Sequence, residues 1–172
     1  MKNILLLTIS LLVFTYAHAQ DKTVFDIARK GTLSEIQDIH KRNPELINAI
    51  NDNNSTPLIL ACYRGNIEVA KFLIKYVKDI NYGSDMGTAL MATTYKNQTE
   101  LVKLLLENKA NPNTTDINGT TALLLAVQFK NIELVKLLLK FNADKTLKDN
   151  KGKTAFEYAV FSNNEEIINL LK

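Results

Sequence analysis

The sequence holds a single cysteine, two histidines and no tryptophan. Cys62 has no partner for an internal disulfide, so stability must come from packing. Aromatic residues make up 8% of the chain, little material for a large aromatic pocket. There is no block of one charge either: 21 basic and 18 acidic residues are interspersed, for a net charge of +3. Such a balance demands no nucleic acid and no anionic membrane surface, and neither is expected as a partner. His40 and Cys62 lack neighbours at metal-ligand spacing, and none of the six glycines forms a phosphate-cradling loop. These absences leave no convergent catalytic site. The chain is expected to be non-enzymatic and to need no metal or cofactor.

The first twenty residues, "MKNILLLTISLLVFTYAHAQ", follow a different pattern from the rest. Lys2 precedes an apolar run from Ile4 to about Tyr16, which closes on the small-x-small sequence Ala17-His18-Ala19. This reads as a secretory signal over residues 1–19, cleaved to leave Gln20 as the new N-terminus. No cysteine stands at the cleavage point to carry a lipid. The expectation is a soluble monomer, periplasmic or secreted. "TALLLAVQFKNIELVKLLL", from Thr121, also looks greasy enough for a membrane span. Lys130, Glu133 and Lys136 lie inside it, and burying those charges in hydrocarbon would cost several kcal/mol.

That stretch is one copy of a repeat. "TPLILACYRGNIEVAKFLI" begins at Thr56, "TALMATTYKNQTELVKLLL" at Thr88 and "TAFEYAVFSNNEEIINLLK" at Thr154, so the threonines are 32, 33 and 33 residues apart. A fixed period of this size marks stacked supersecondary units. Two residues past each Thr stand Leu58, Leu90, Leu123 and Phe156, large groups aimed at a core. Five past it come Ala61, Thr93, Ala126 and Ala159, small enough for a second helix to approach closely. Nine past it, Gly65, Asn97 and Asn163 suit a left-handed helix end, with Lys130 as the exception. Glu68, Glu100, Glu133 and Glu166 then sit at the start of a second helix, whose apolar face is spaced i, i+3, i+4. Polar, turn-rich segments join the units, with Asp52, Asp85, Asp116 and Asp149 positioned to cap local backbone. Cys62, six past its Thr, shares a column with Thr94, Val127 and Val160 and reads as a small core residue.

The sequence resembles the ankyrin repeat, whose signature is Thr-Pro-Leu-His-x-Ala, a Gly turn and a Leu-rich second helix. "TPLILA" from Thr56 matches it best, while "TALLLA" and "TAFEYA" keep the frame. The histidine of the signature is replaced by Ile59, Met91, Leu124 and Glu157. Residues ahead of Thr56 read as a divergent first repeat, in which Gly31 lies one position out of register with Gly65. The resemblance implies an all-α solenoid of helix-turn-helix units joined by hairpin loops. Five repeats are expected, at about 21–52, 53–84, 85–117, 118–150 and 151–172, with both ends capped by polar residues.

The resemblance also implies a protein–protein interaction module that docks partners on a concave face of first-helix and hairpin-tip residues. Carried over by column, the helix positions are Tyr63, Arg64, Tyr95, Lys96, Gln128, Phe129, Phe161 and Ser162. The tips are Asp52, Asn53, Ser84, Asp85, Ile117, Asn118, Asn150 and Lys151, with the hairpin before Thr88 one residue shorter than its neighbours. Two roles stay open for the aromatic rings: contact with a partner, or padding between repeats. Some bacterial ankyrin proteins accompany catalases. A small-molecule or haem carrier, with Tyr63, Tyr95 or His40 as ligand, is therefore the rival expectation.

Overall fold

The computed structural model describes residues 22–172, so the signal sequence expected over 1–19 lies outside the described residues. Each expected repeat folds as two short antiparallel helices. The first helices are α1 (Val24–Lys30), α3 (Pro57–Arg64), α5 (Ala89–Tyr95), α7 (Ala122–Gln128) and α9 (Ala155–Phe161). The second helices are α2 (Leu33–Arg42), α4 (Ile67–Tyr76), α6 (Thr99–Glu107), α8 (Ile132–Lys140) and α10 (Glu165–Leu171). First helices stack on first helices and second on second, giving two layers. Among the described residues, no helix is long and apolar enough to cross a membrane.

The registered threonines start the first helices. Thr23, Thr56, Thr88, Thr121 and Thr154 each accept the backbone N–H three residues on through their side-chain oxygen, satisfying a donor the helix cannot. The column in which the family signature carries histidine then splits by position in the array. Inside the stack it holds Ile59, Met91 and Leu124, all buried. At the ends it holds Asp26 and Glu157, whose carboxylates return a bond to the capping threonine's own N–H. A residue facing a neighbouring repeat is apolar, and one facing water closes a capping box.

First helices end in a left-handed residue: Gly65 at φ 73°, Asn97 at 58°, Lys130 at 55° and Asn163 at 51°. Lys130 thus adopts the conformation its side chain disfavours, because the turn into α8 requires it. Gly31, one position out of register with Gly65, also caps its helix, α1, but is extended at φ −83° and ψ −178°. The one-residue slip in the first repeat removes that turn.

The small column is fully buried, as Ala61, Thr93, Ala126 and Ala159 show, and so are Val69, Leu73, Leu105, Leu138 and Ile167 on the second helices. Each large side chain buried in this way contributes about 1.5–3 kcal/mol. The last repeat departs from the expected pattern. Phe156 and Val160 occupy core columns but are 36% and 50% exposed, because no further described helix packs on α9. The C-terminal end is therefore only partly capped by polar groups, despite the exposed Lys172.

Three of the four hairpins share one construction. The side-chain oxygens of Asn51, Asp116 and Asp149, each five residues before its Thr, accept the N–H groups two and four residues later. The remaining hairpin has Gly83 at that place. It closes instead as a two-residue turn between strands β1 (Gly83–Ser84) and β2 (Gly87–Thr88), with Gly87 at φ 98°. In the segments that lead from the second helices to the hairpins, asparagines join the repeats. Asn48, Asn81 and Asn113 accept the backbone N–H groups of Lys78, Asn111 and Asp144, at 2.9, 2.7 and 2.7 Å.

Candidate protein-docking face

The C-terminal ends of α3, α5 and α7, the last one capped by Phe129, bring three of the expected aromatic residues into one row. The rings of Tyr63 and Tyr95 stack with centroids 6.1 Å apart and an interplanar angle of 20°. Phe129 meets Tyr95 edge-on at 5.5 Å and 78°. Such pairs gain about 0.5–1.5 kcal/mol beyond their buried area. The rings therefore do pad the joint between repeats. They are also 44%, 51% and 51% exposed, so each still offers a face to a partner. Phe161 extends the row to the last repeat at 85% exposure, beneath Lys153 at 5.5 Å.

Beside the rings lie the expected cations. Arg64 Cζ and Lys96 Nζ sit 5.9 and 5.5 Å from the centroid of Tyr63, within cation–π range. Gln128 is exposed; Ser162 is half-buried and its Oγ donates to the Ala159 carbonyl at 3.1 Å. Between the tyrosines and the short hairpin runs a groove of about 440 Å³, whose floor includes Leu60, Met91, Ala92 and Leu125.

Most tip residues are exposed as expected: Asp52, Asn53, Asp85, Ile117, Asn118, Asn150 and Lys151. The tips also lean on one another. Ile117 N donates to the Asp85 carbonyl at 3.3 Å, and Asn150 N to the Asn118 carbonyl at 2.9 Å. Ser84 is a correction, being only 7% exposed. Its hydroxyl donates to the Gly87 carbonyl at 3.1 Å and holds the two-residue turn, so it lines the groove instead of forming a tip. The shorter hairpin draws Ser84 inward and pushes Met86 out to 83% exposure.

Sequence reasoning missed Met86 and the column four past each threonine, Leu60, Ala92, Leu125 and Tyr158. All four of these are half-buried. The signal was present, since that column is apolar or aromatic in every copy while its neighbours already complete the core face.

The residues weighed for other chemistry lie elsewhere. Cys62 is fully buried, and desolvation pushes its thiol well above the ordinary 9.0, against thiolate reactivity. His40 packs against Phe72 and Tyr76 of α4, with ring centroids at 5.5 and 4.9 Å, and does not line the groove. Among the described residues, no three His, Cys, Asp or Glu side chains are grouped to hold a metal ion.

The comparisons agree with this geometry. A family model described as ankyrin repeats (3 copies) matches residues 24–116 and again 90–172. The chain belongs to the ankyrin-repeat family. Ankyrin repeat and SAM domain-containing protein 6 of Rattus norvegicus is 31% identical over 106 residues, covering 60% of this chain and 12% of that protein. Ankyrin repeat and KH domain-containing protein 1 of Homo sapiens is 44% identical over 72 residues, covering 42% of this chain and 3% of its own length. XBAT34 of Arabidopsis thaliana, named as a candidate E3 ubiquitin-protein ligase, is 30% identical over 114 residues, 64% of this chain and 30% of that protein. The chain thus corresponds to a small part of the length of these relatives.

Proposed function

We propose that this ankyrin protein is an exported, non-enzymatic docking module, periplasmic or secreted, that binds a protein partner along the Tyr63–Tyr95–Phe129 row. Ankyrin repeats are protein–protein interaction modules, and this face has the composition of an interface. Aromatic residues, Met and Arg are the types enriched at interface cores and hot spots. The observation that carries the reading is that the three rings touch across repeats and still expose about half their surface. Rings fixed in this way present a preordered surface, which lowers the ordering cost of association. Export rests on the pattern of residues 1–19.

Crosslinking in intact cells, followed by identification of the captured protein, supplies the test. The double substitution Tyr63→Ala with Tyr95→Ala is expected to abolish capture while helical content is retained. Undiminished capture would overturn the docking face. Cell fractionation with N-terminal sequencing tests export, and a mature chain starting at Gln20 is expected.

The carrier reading draws support from the same groove, but His40 lies outside it, so Tyr63 and Tyr95 would have to hold the ligand. A Soret shift on adding haem, lost in the double variant, would favour the carrier over the docking module.

A further inference from the structure

We infer that the groove takes a polypeptide segment in which large apolar side chains stand next to carboxylates. This deepens the docking reading above and rests on it. Its basis is the charge around the rings.

Arg29 and Lys30 stand in the last turn of α1, Arg64 in that of α3, Lys96 caps α5, and Lys130 follows the end of α7. Residues 28–32, 61–66, 93–98 and 126–131, which form these ends and turns, contain no acidic side chain. One edge of the face is therefore basic over four successive repeats, with Arg29 of the first paired to Asp26 at 3.6 Å. Among the described residues, Arg64, Lys96 and Lys130 form no salt bridge. Of the acidic groups that follow in sequence, Glu68 and Glu100 both hold Lys71, at 3.5 and 2.8 Å, while Glu133, three residues after Lys130, is exposed and joins no salt bridge among the described residues. Arg64 and Lys96 lean on the Tyr63 ring instead, which fixes two unpaired cations at the border of the apolar floor.

At the other edge, the tips beside the groove have the opposite sign, while Lys151 stands at the last tip, outside the groove. Asp52 and Asp85 are exposed at the tips, and Asp116 forms part of the groove wall. Met86 and Ile117, 83% and 64% exposed, add apolar surface at that edge. A segment seats with its carboxylates toward Arg64, Lys96 and Lys130 and its apolar side chains over Leu60, Met91 and Ala92. Turned around, those carboxylates would face the aspartates, and like-charge contact rejects that orientation. A single-stranded nucleic acid would also find stacking rings and cations here. The acidic edge and the exposed Met86 and Ile117 argue for a peptide instead.

The test is selection from phage displaying random peptides of about 12 residues, panned on the full chain. Recovered peptides are synthesised and titrated by fluorescence anisotropy against three proteins of matched circular dichroism. These are the unsubstituted chain, Arg64→Glu with Lys96→Glu, and Tyr63→Ala with Tyr95→Ala. The recovered pool should be enriched in Asp and Glu next to Leu, Phe or Trp. Affinity should fall about tenfold or more in the charge-reversed protein, and about tenfold between low and high salt. Peptides that need the tyrosines but bind the charge-reversed protein equally well would overturn the charge inference and leave the docking face standing. Peptides indifferent to both substitutions, or an empty selection, would count against both. Tighter binding of labelled oligothymidine than of any recovered peptide would replace the peptide with nucleic acid.

Discussion

Asn81 accepts the backbone N–H of Asn111 through its side-chain oxygen at 2.7 Å, tying the loop after α4 to the loop after α6. Asn111 in turn accepts from Asn113 at 2.9 Å, and Asn113 from Asp144 at 2.7 Å, so a relay of amide oxygens crosses three repeats. Removing one link should cost what a net hydrogen bond contributes, about 0.5–1.5 kcal/mol. Asn81→Ala is expected to lower the unfolding free energy by that amount, read as a lower urea midpoint with an unchanged m value, and Asn81→Asp, which keeps the acceptor, to cost less.

Lys130 and Gly65 occupy the same left-handed position at φ 55° and 73°. A side chain with a Cβ is strained there by about 1–2 kcal/mol, partly offset by the entropy a glycine loses on folding. Lys130→Gly should therefore stabilise the protein by about 0.5 kcal/mol. Gly65→Ala should destabilise it by about 1 kcal/mol, since alanine is strained at φ 73°, while the Gln98 side chain can swing away from the new Cβ. Opposite shifts in thermal midpoint check the pair.

Asp149 is held below its ordinary value of 3.8, first by the Tyr158 hydroxyl at 2.5 Å, then by the N–H groups of Lys153 and Lys151 and the Lys151 charge. A depressed carboxylate stabilises the fold above its unfolded value and loses that contribution as pH falls through its folded value. Asn51 makes the equivalent turn with a side chain that does not titrate. Asp149→Asn should keep the hairpin, reduce stability slightly near neutrality and lose less of it than the unsubstituted chain below about pH 4. Urea midpoints taken across the acid range measure this.

Val127 and Val160 share a column but not an environment, being 0% and 50% exposed. Val127→Ala removes two buried carbons and leaves a space, an expected loss of about 2 kcal/mol. Val160→Ala should cost less than about 1 kcal/mol. Equal losses would mean that the C-terminal face is covered in solution.

The two-helix repeat was legible because threonine, the small residue, the helix-ending residue and the leucines recur at fixed intervals, and each has one physical task. Lys130 shows why the intervals outweigh the individual residue: its neighbours fix the turn, and the backbone follows at a cost. Gly31 shows the converse, since one residue of slip cancels the same turn. The asparagine relay escaped notice because its members are scattered among many other asparagines in this chain. Ser84 turned inward, and Met86 outward, through a single missing residue, which replaces a side-chain-capped loop by a two-residue turn. Phe156 and Val160 lie in core columns, but periodicity marks only which face they share, not whether anything covers it.

The rings of Tyr63, Tyr95 and Phe129 belong to three different repeats, so their spacing is a property of the stack. Any bending of the array must slide one ring over the next. A partner lying across all three would stiffen the protein, and a stiffer array would in turn hold that partner more tightly, because the two effects are reciprocal by linkage. The docking face is in this sense a gauge of the solenoid's curvature.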